Sequence, residues 1–298
     1  MLRCLASATV RGVLTFSLFA FGVSLGAQNA EQTIGDSECG LRPELERALN
    51  QVFSAADTVA YTGTLLIEFN NDREFIGVNS ADGTGRGSFL RLSREANGSP
   101  LVIDRSYGAD RMVCSLTPFY GFNIEAGQVV AGREAYRLTV RPKDTLRLGY
   151  VMDVDSEHHL PLRVVTATPD GQVLERFEFA DIQFLPTPEA APAQTSAGQS
   201  SFSFAALPPG FAVIQQGTLN SAATPVEFMV VSDGLASVSV FVEPRPRSLA
   251  DGEGVVLRGA TIAYSRGAGG NRLITVLGEV PITTARLLAD AVRQRPLE

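Results

Sequence analysis

Residues 232–244 read SDGLASVSVFVEP, and this stretch decides what kind of fold the chain adopts. Asp233-Gly234 is a pair that supplies a tight turn with positive φ. Beyond it the side chains alternate: Val238, Val240 and Val242 fall on one face, Ser237, Ser239, Phe241 and Glu243 on the other. A period of two marks a half-buried strand, because successive Cβ atoms point to opposite faces. Pro244 and Pro246 end the ladder, since proline donates no backbone hydrogen bond. A turn feeding an amphipathic strand predicts antiparallel sheet.

The same signals recur on either side. LPPGF at 207–211 opens a small unit, with further strands expected at 212–219, 226–232, 259–265 and 272–278. A helix from about Pro281, with Ile282, Ala285, Leu288, Ala289 and Val292 on one face, closes it. Upstream, residues 185–203 carry Pro186, Pro188 and Pro192 among alanines and serines, a composition that cannot offset its ordering entropy. They predict a flexible linker between a larger domain at 33–184 and a smaller one at 204–298. The larger domain starts with Leu41, Leu45, Ala48, Leu49, Val52 and Phe53 at helical spacing. From Tyr61 the period becomes two, with Tyr61, Gly63, Leu65, Ile67 and Phe69 on one face and a return strand at 74–78. Strands are expected at 88–93, 101–105, 111–116, 135–141, 150–154, 162–168 and 173–184. One helix against a long antiparallel meander is an α+β arrangement.

The first 27 residues read as an export signal. Arg3 and Arg11 precede an apolar run at 13–25, followed by small Ser24, Gly26 and Ala27. The run is short for a transmembrane helix, which needs about 20 apolar residues. The mature protein is therefore expected to be soluble and exported. Of three cysteines, Cys4 leaves with the signal, while Cys39 and Cys114 either bridge or remain free thiols. A formal charge of −7 argues against a nucleic-acid partner, which wants a basic face.

Catalytic patterns are missing. There is no Gly-x-Ser-x-Gly elbow, P-loop or His-Glu-x-x-His. His158 and His159, the only histidines, are adjacent in an expected hairpin turn with Asp153, Asp155 and Glu157 nearby. That corner reads as a solvated turn or a metal site, and the solvated turn is expected because alternate strand residues diverge. No cofactor and no metal is expected, and a binding module is the economical reading. A hydrolase using one of the histidines is the competing class.

The segment at 232–244 resembles the signature of the MucB/RseB family of periplasmic sigma-E regulators. LPPGF at 207–211, RGATIAYSR at 258–266 and TVLGEVP at 275–281 are similar to the same C-terminal domain. YTGTLL at 61–66, VAGREAYRLTVRPKD at 130–144, GYVMDVD at 149–155, HLPLR at 159–163 and GQVLERFEFADI at 171–182 fit the N-terminal domain in order. The resemblance implies an N-terminal LolA-like curved antiparallel sheet wrapped on helices, plus a smaller, mostly β C-terminal domain with a terminal helix. It implies a negative regulator of a sigma-E envelope stress response that binds the periplasmic segment of a membrane-bound anti-sigma factor of RseA/MucA type. It further implies shielding of that segment from site-1 proteolysis, release by lipopolysaccharide or lipoprotein acyl chains, and a homodimer. A lipid or lipoprotein carrier of LolA type is the alternative.

Candidate residues follow. Partner binding is expected at Ser237, Ser239, Phe241, Arg258, Tyr264 and Arg266, and lipid binding at Leu65, Ile67, Phe69, Leu90 and Leu92. Between Cys114 and Val130 the chain is shorter than the family pattern, which puts the lipid cavity in doubt. Phe119, Tyr120 and Phe122 there either cover the same opening or belong to the core.

Overall fold

Pro43 starts the first helix because a proline at this position lacks only an N–H that would have no helical partner. The computed structural model describes residues 39–80, 109–186, 200–219, 225–245, 252–269 and 271–295. The export signal at 1–27, the strands expected at 88–93 and 101–105, Leu90 and Leu92, and residues 187–199 of the linker lie outside the described residues.

Helix α1 (Pro43–Thr58) buries Leu45, Leu49 and Val52, which share the face set by its 3.6-residue period. It lies on a sheet built from β1 (Ala60–Phe69), β2 (Asp72–Asn79), β3 (Tyr120–Val130), β4 (Arg133–Pro142), β5 (Gly149–Asp155), β6 (Pro161–Ala167) and β7 (Val173–Leu185). The order across this sheet is β2-β1-β7-β6-β5-β4-β3, and every described ladder is antiparallel. Tyr61, Leu65 and Ile67 point into the core, as do Leu138, Val140, Tyr150, Met152, Val154, Leu162, Val164, Phe177 and Phe179.

A second helix, α2 (Ala109–Leu116), replaces the strand expected at 111–116. Val113 and Leu116, three residues apart, are both buried, a spacing that a helix satisfies and a strand does not. Cys114 bonds to Cys39, tying α2 to the segment just before α1. The short stretch after Cys114 is taken up by the end of α2, a turn and β3, a strand absent from the sequence expectation.

The second sheet runs β12-β13-β14-β11-β10-β9. Its strands are β9 (Ala212–Leu219), β10 (Val226–Ser232), β11 (Ser237–Pro244), β12 (Glu253–Arg258), β13 (Thr261–Ala268) and β14 (Arg272–Gly278). The stretch quoted at the outset supplies the β10–β11 turn and the whole of β11, an inner strand of this sheet. Gly234 takes φ +100°, which only glycine adopts without strain. Helix α3 (Ile282–Ala291) covers one face through Ala285, Leu288 and Ala289, packed on Val238, Val240, Ile262, Tyr264, Ile274 and Val276. A short ladder of β8 (Phe202–Phe204) with β15 (Val292–Gln294) closes the edge of that core. Strand β8 thus begins inside the segment read as linker, at Phe202.

On the outer face of the first sheet, one row crosses five strands with alternating charge. Glu125, Arg137, Asp153, Arg163 and Glu178 stand opposite one another on β3, β4, β5, β6 and β7. Arg137 donates to Asp153 at 2.9 Å, and Arg163 pairs with both Asp153 and Glu178. Asp153 is 1% exposed, buried among guanidinium groups and not in a solvated turn. Nearby Asp155 is equally buried. Arg133 holds it, together with backbone N–H groups of Glu157 and His158. The acidic corner is a set of arginine pairs.

Candidate functional site

One set of described residues that connect the two sheets meets at Asp233. Its Oδ1 accepts the N–H groups of Leu235 and Ala236, which fixes the turn. Its Oδ2 is thereby aimed at the first sheet, where it accepts Nε of Arg147 and the hydroxyl of Tyr120, each at 2.8 Å. Arg147, on the β4–β5 loop, also pairs with Asp144 and donates to the carbonyl of Pro209. Its guanidinium lies 4.3 Å from the Phe119 ring centroid, 4.9 Å from Phe211 and 5.8 Å from Tyr120. Aromatic faces favour such a cation, and the planar fork matches carboxylate and carbonyl acceptors. Burial and then Asp233 hold the Tyr120 hydroxyl well above its ordinary pKa, so it stays a donor.

Two hairpin tips of the second sheet enter the first core. Leu235 arrives from the β10–β11 turn and Ala260 from the β12–β13 turn. Gly259, at φ +58°, lets that second turn close directly on Glu175 of β7, and the Ala260 N–H donates to this carboxylate at 3.2 Å. Burial pushes the Glu175 carboxyl up, against the opposing pull of the Ala260 N–H and Arg258. Arg258 pairs with Glu74 of β2 at 3.0 Å and covers the Phe69 ring at 5.0 Å. At the other end, the Thr284 hydroxyl of α3 donates to the Leu146 carbonyl at 2.7 Å. Both sheets belong to one compact unit, Asp36–Glu298.

The residues expected to bind a partner do not form one surface. Ser237 and Phe241 are half-buried on the face of β11 opposite α3, while Ser239 between them is buried. Tyr264 is fully buried, which corrects its placement on a partner surface. Even-numbered residues of β13 face α3, so Tyr264 joins Ile262 and Val276 in the core and donates its hydroxyl to Glu253. Arg266, on the same face, pairs with Asp290 of α3. Arg258 is turned toward the first sheet, as described above.

The lipid candidates fare similarly. Leu65 and Ile67 are 3% and 5% exposed and lie in the core with Leu45, Leu49 and Val52 of α1. Phe69 sits half-buried under Arg258. Tyr120 is core and Phe119 flanks Arg147. The disulfide occupies both sulfurs, which removes Cys39, Glu46 and Cys114 as a metal-ligand group. Sequence reading missed Arg147, Glu175 and Thr284, and took Asp233 only as a turn former.

The MucB/RseB N-terminal domain matches residues 85–198, and the MucB/RseB C-terminal domain matches 196–293. Between them they cover more than half of the chain. The chain belongs to the MucB/RseB family. The Pseudomonas aeruginosa protein named sigma factor AlgU regulatory protein MucB is 31% identical over 196 residues, 60% of this chain and 62% of its own length. Sigma-E factor regulatory protein RseB of Escherichia coli K12 is 29% identical over 198 residues, 60% of each chain. The match thus spans about three fifths of the length of these curated MucB/RseB relatives. Among solved structures, the complex of Pseudomonas aeruginosa MucA/MucB matches with a TM-score of 0.62 at 26% identity, over 85% of this chain and all of that one. A crystal structure of MucB matches in fold with a TM-score of 0.60 at 22% identity, over 85% of this chain and 98% of that one. The α+β architecture, two antiparallel sheets with few helices, is that of the MucB structures. The junction draws on the segments that carry the family resemblance: 232–244 supplies Asp233, 207–211 supplies Pro209 and Phe211, and 258–266 supplies Arg258, Gly259 and Ala260.

Proposed function

We propose that this chain is a periplasmic negative regulator of a sigma-E-type envelope stress response. It binds the periplasmic segment of a membrane-bound anti-sigma factor of RseA/MucA type and shields it from site-1 proteolysis. Lipidic signals, lipopolysaccharide or lipoprotein acyl chains, relieve the block. The observation that carries the reading is the likeness to MucB as it stands in the MucA/MucB complex, across 85% of the chain. The relatives are named as regulatory proteins, in keeping with a binding role over catalysis. No helix among the described residues is long and apolar enough to cross a membrane. Export rests on the sequence at 1–27, and a homodimer is part of the same proposal. Ser237 and Phe241, half-buried on the face away from α3, remain the proposed contacts on β11.

Calorimetry with the periplasmic segment of a cognate anti-sigma factor of RseA/MucA type is the test. A dissociation constant of about 10 μM or tighter is expected, together with slower site-1 cleavage of the segment. Absence of both effects overturns the reading. The carrier alternative is disfavoured by the packing of Leu65 and Ile67 against α1. Acyl chains retained by the purified protein in native mass spectrometry would favour it.

A further inference from the structure

Each sheet has a core of its own, one closed by α1 and α2 and the other by α3. What joins them is of a different kind. No strand ladder crosses between the two among the described residues. The apolar link named by the core is two hairpin tips, Leu235 and Ala260. Most of the other described links are directional and polar: Arg147 and Tyr120 to Asp233, Arg147 to Pro209, Thr284 to Leu146, Ala260 to Glu175, and Arg258 to Glu74, with Arg147 against Phe211, Arg258 against Phe69 and the Phe119 ring against Gly210 beside them.

We propose that this junction is a reversible catch that opens as a unit while both sheets stay folded, baring Leu235, Ala260 and the end of the first core that they close. Contacts of this type release more readily than an apolar core. Water replaces the partner of each polar group on opening, so their net contribution is small. A buried ion pair such as Arg147–Asp233 gains little, because loss of hydration offsets most of its attraction. Polar interfaces inside one chain are the ones along which parts move. In the closed state burial raises the Glu175 carboxyl against the pull of the Ala260 N–H and Arg258, and opening rehydrates it. The charges facing Glu175 are Arg258 on β12 and, through it, Glu74 on β2. The catch therefore opens at lower cost than either sheet unfolds, and local openings of this size are measurable by hydrogen exchange.

The experiment is hydrogen exchange on the full mature chain, read at the Ala260, Leu235 and Ala236 amides. The reference amides are those of Met152 in β5 and Val240 in β11. The Ala260 N–H is bonded across the junction itself, so it reports the catch directly. In the unaltered protein the junction amides should exchange at least about tenfold faster than the references. Arg258→Gln, at a side chain 56% exposed, should speed the Ala260 amide by about two- to fivefold and leave the references unchanged. Asp233→Asn should give a larger increase. Should that variant not fold, the unaltered protein and Arg258→Gln decide alone. Junction amides that exchange at the reference rate in both overturn the proposal, because the sheets then separate only by global unfolding.

Discussion

Nε of Arg147 lies 2.8 Å from Oδ2 of Asp233, and both side chains are fully shielded from water. One comes from the first sheet's β4–β5 loop and the other from the second sheet's β10–β11 turn, 86 residues apart in sequence. Removing one member leaves a buried charge unanswered, which costs about 3–5 kcal/mol. Arg147→Met should therefore lower the melting temperature by about 10 °C. The double change Arg147→Met, Asp233→Asn should recover part of that loss, since no isolated charge remains. Thermal unfolding followed by circular dichroism checks both, and strict additivity of the two changes would show that the pair is not coupled.

Glu175 carries a pH dependence of its own. Its folded pKa is raised by burial, so the folded state holds the proton more tightly than the unfolded chain does. The associated stability is fully present below the ordinary glutamate value of 4.5 and is lost as pH rises through the folded value. Glu175→Gln should therefore be more stable than the parent at pH 7, with the difference shrinking toward pH 4. Urea midpoints across that range measure it, and a variant weaker at pH 7 would refute the sign.

Asp155 runs the other way. Burial acts to raise its carboxyl, but Arg133 and the His158 backbone outweigh that and leave it lowered. Its contribution is present above the ordinary aspartate value of 3.8 and fades as pH falls through the folded value. Asp155→Asn should cost stability at neutral pH and flatten the acid limb of the stability curve. An unchanged acid limb would place that dependence on other groups.

The Cys39–Cys114 bond closes a loop with a sequence separation of 75, for which chain entropy gives about 4 kcal/mol. Reduction, or Cys114→Ser, should lower the urea midpoint and loosen α2 first, because the bridge ties α2 to the start of α1. Limited proteolysis should then cut near residue 114 before either sheet opens. Cleavage confined to the second sheet would contradict this.

Gly259 combines φ +58° with a Cβ position occupied by the Glu175 carboxylate. Gly259→Ala should cost about 1–3 kcal/mol. Adding Glu175→Ala frees the space and should recover the steric share but not the backbone share. Equilibrium unfolding of Gly259→Ala, Glu175→Ala and the double change separates the two terms.

The fold was legible because alternation and turn chemistry are local. Strands β9, β10 and β14 fall where the pattern at 212–219, 226–232 and 272–278 put them. Helix α2 was misread because Val113 and Leu116 lie in too short a stretch for either period to declare itself. Strand β12 was missed since every residue in it is exposed, so no buried face marks it. The junction was hidden for a different reason. Asp233 fits a turn so well that its second carboxylate oxygen needs no explanation from sequence. Arg147 looks like any loop cation until the loop is seen under Phe119 and Phe211. Tyr264 lies between Arg258 and Arg266, whose charge suggests an exposed stretch, while the strand's parity turns its ring inward.

The row Glu125, Arg137, Asp153, Arg163 and Glu178 has a consequence at long range. Neighbouring strands are about 4.8 Å apart, so opposite charges alternate on a spacing shorter than the screening length of about 8 Å in physiological salt. Their fields cancel within a few ångströms of the surface. Five ionised side chains thus make this face electrically quiet to an approaching polyanion or ion cloud. The row itself nets only −1, so most of the chain's net charge of −7 is expressed elsewhere, and salt should alter encounters at other faces more than at this one.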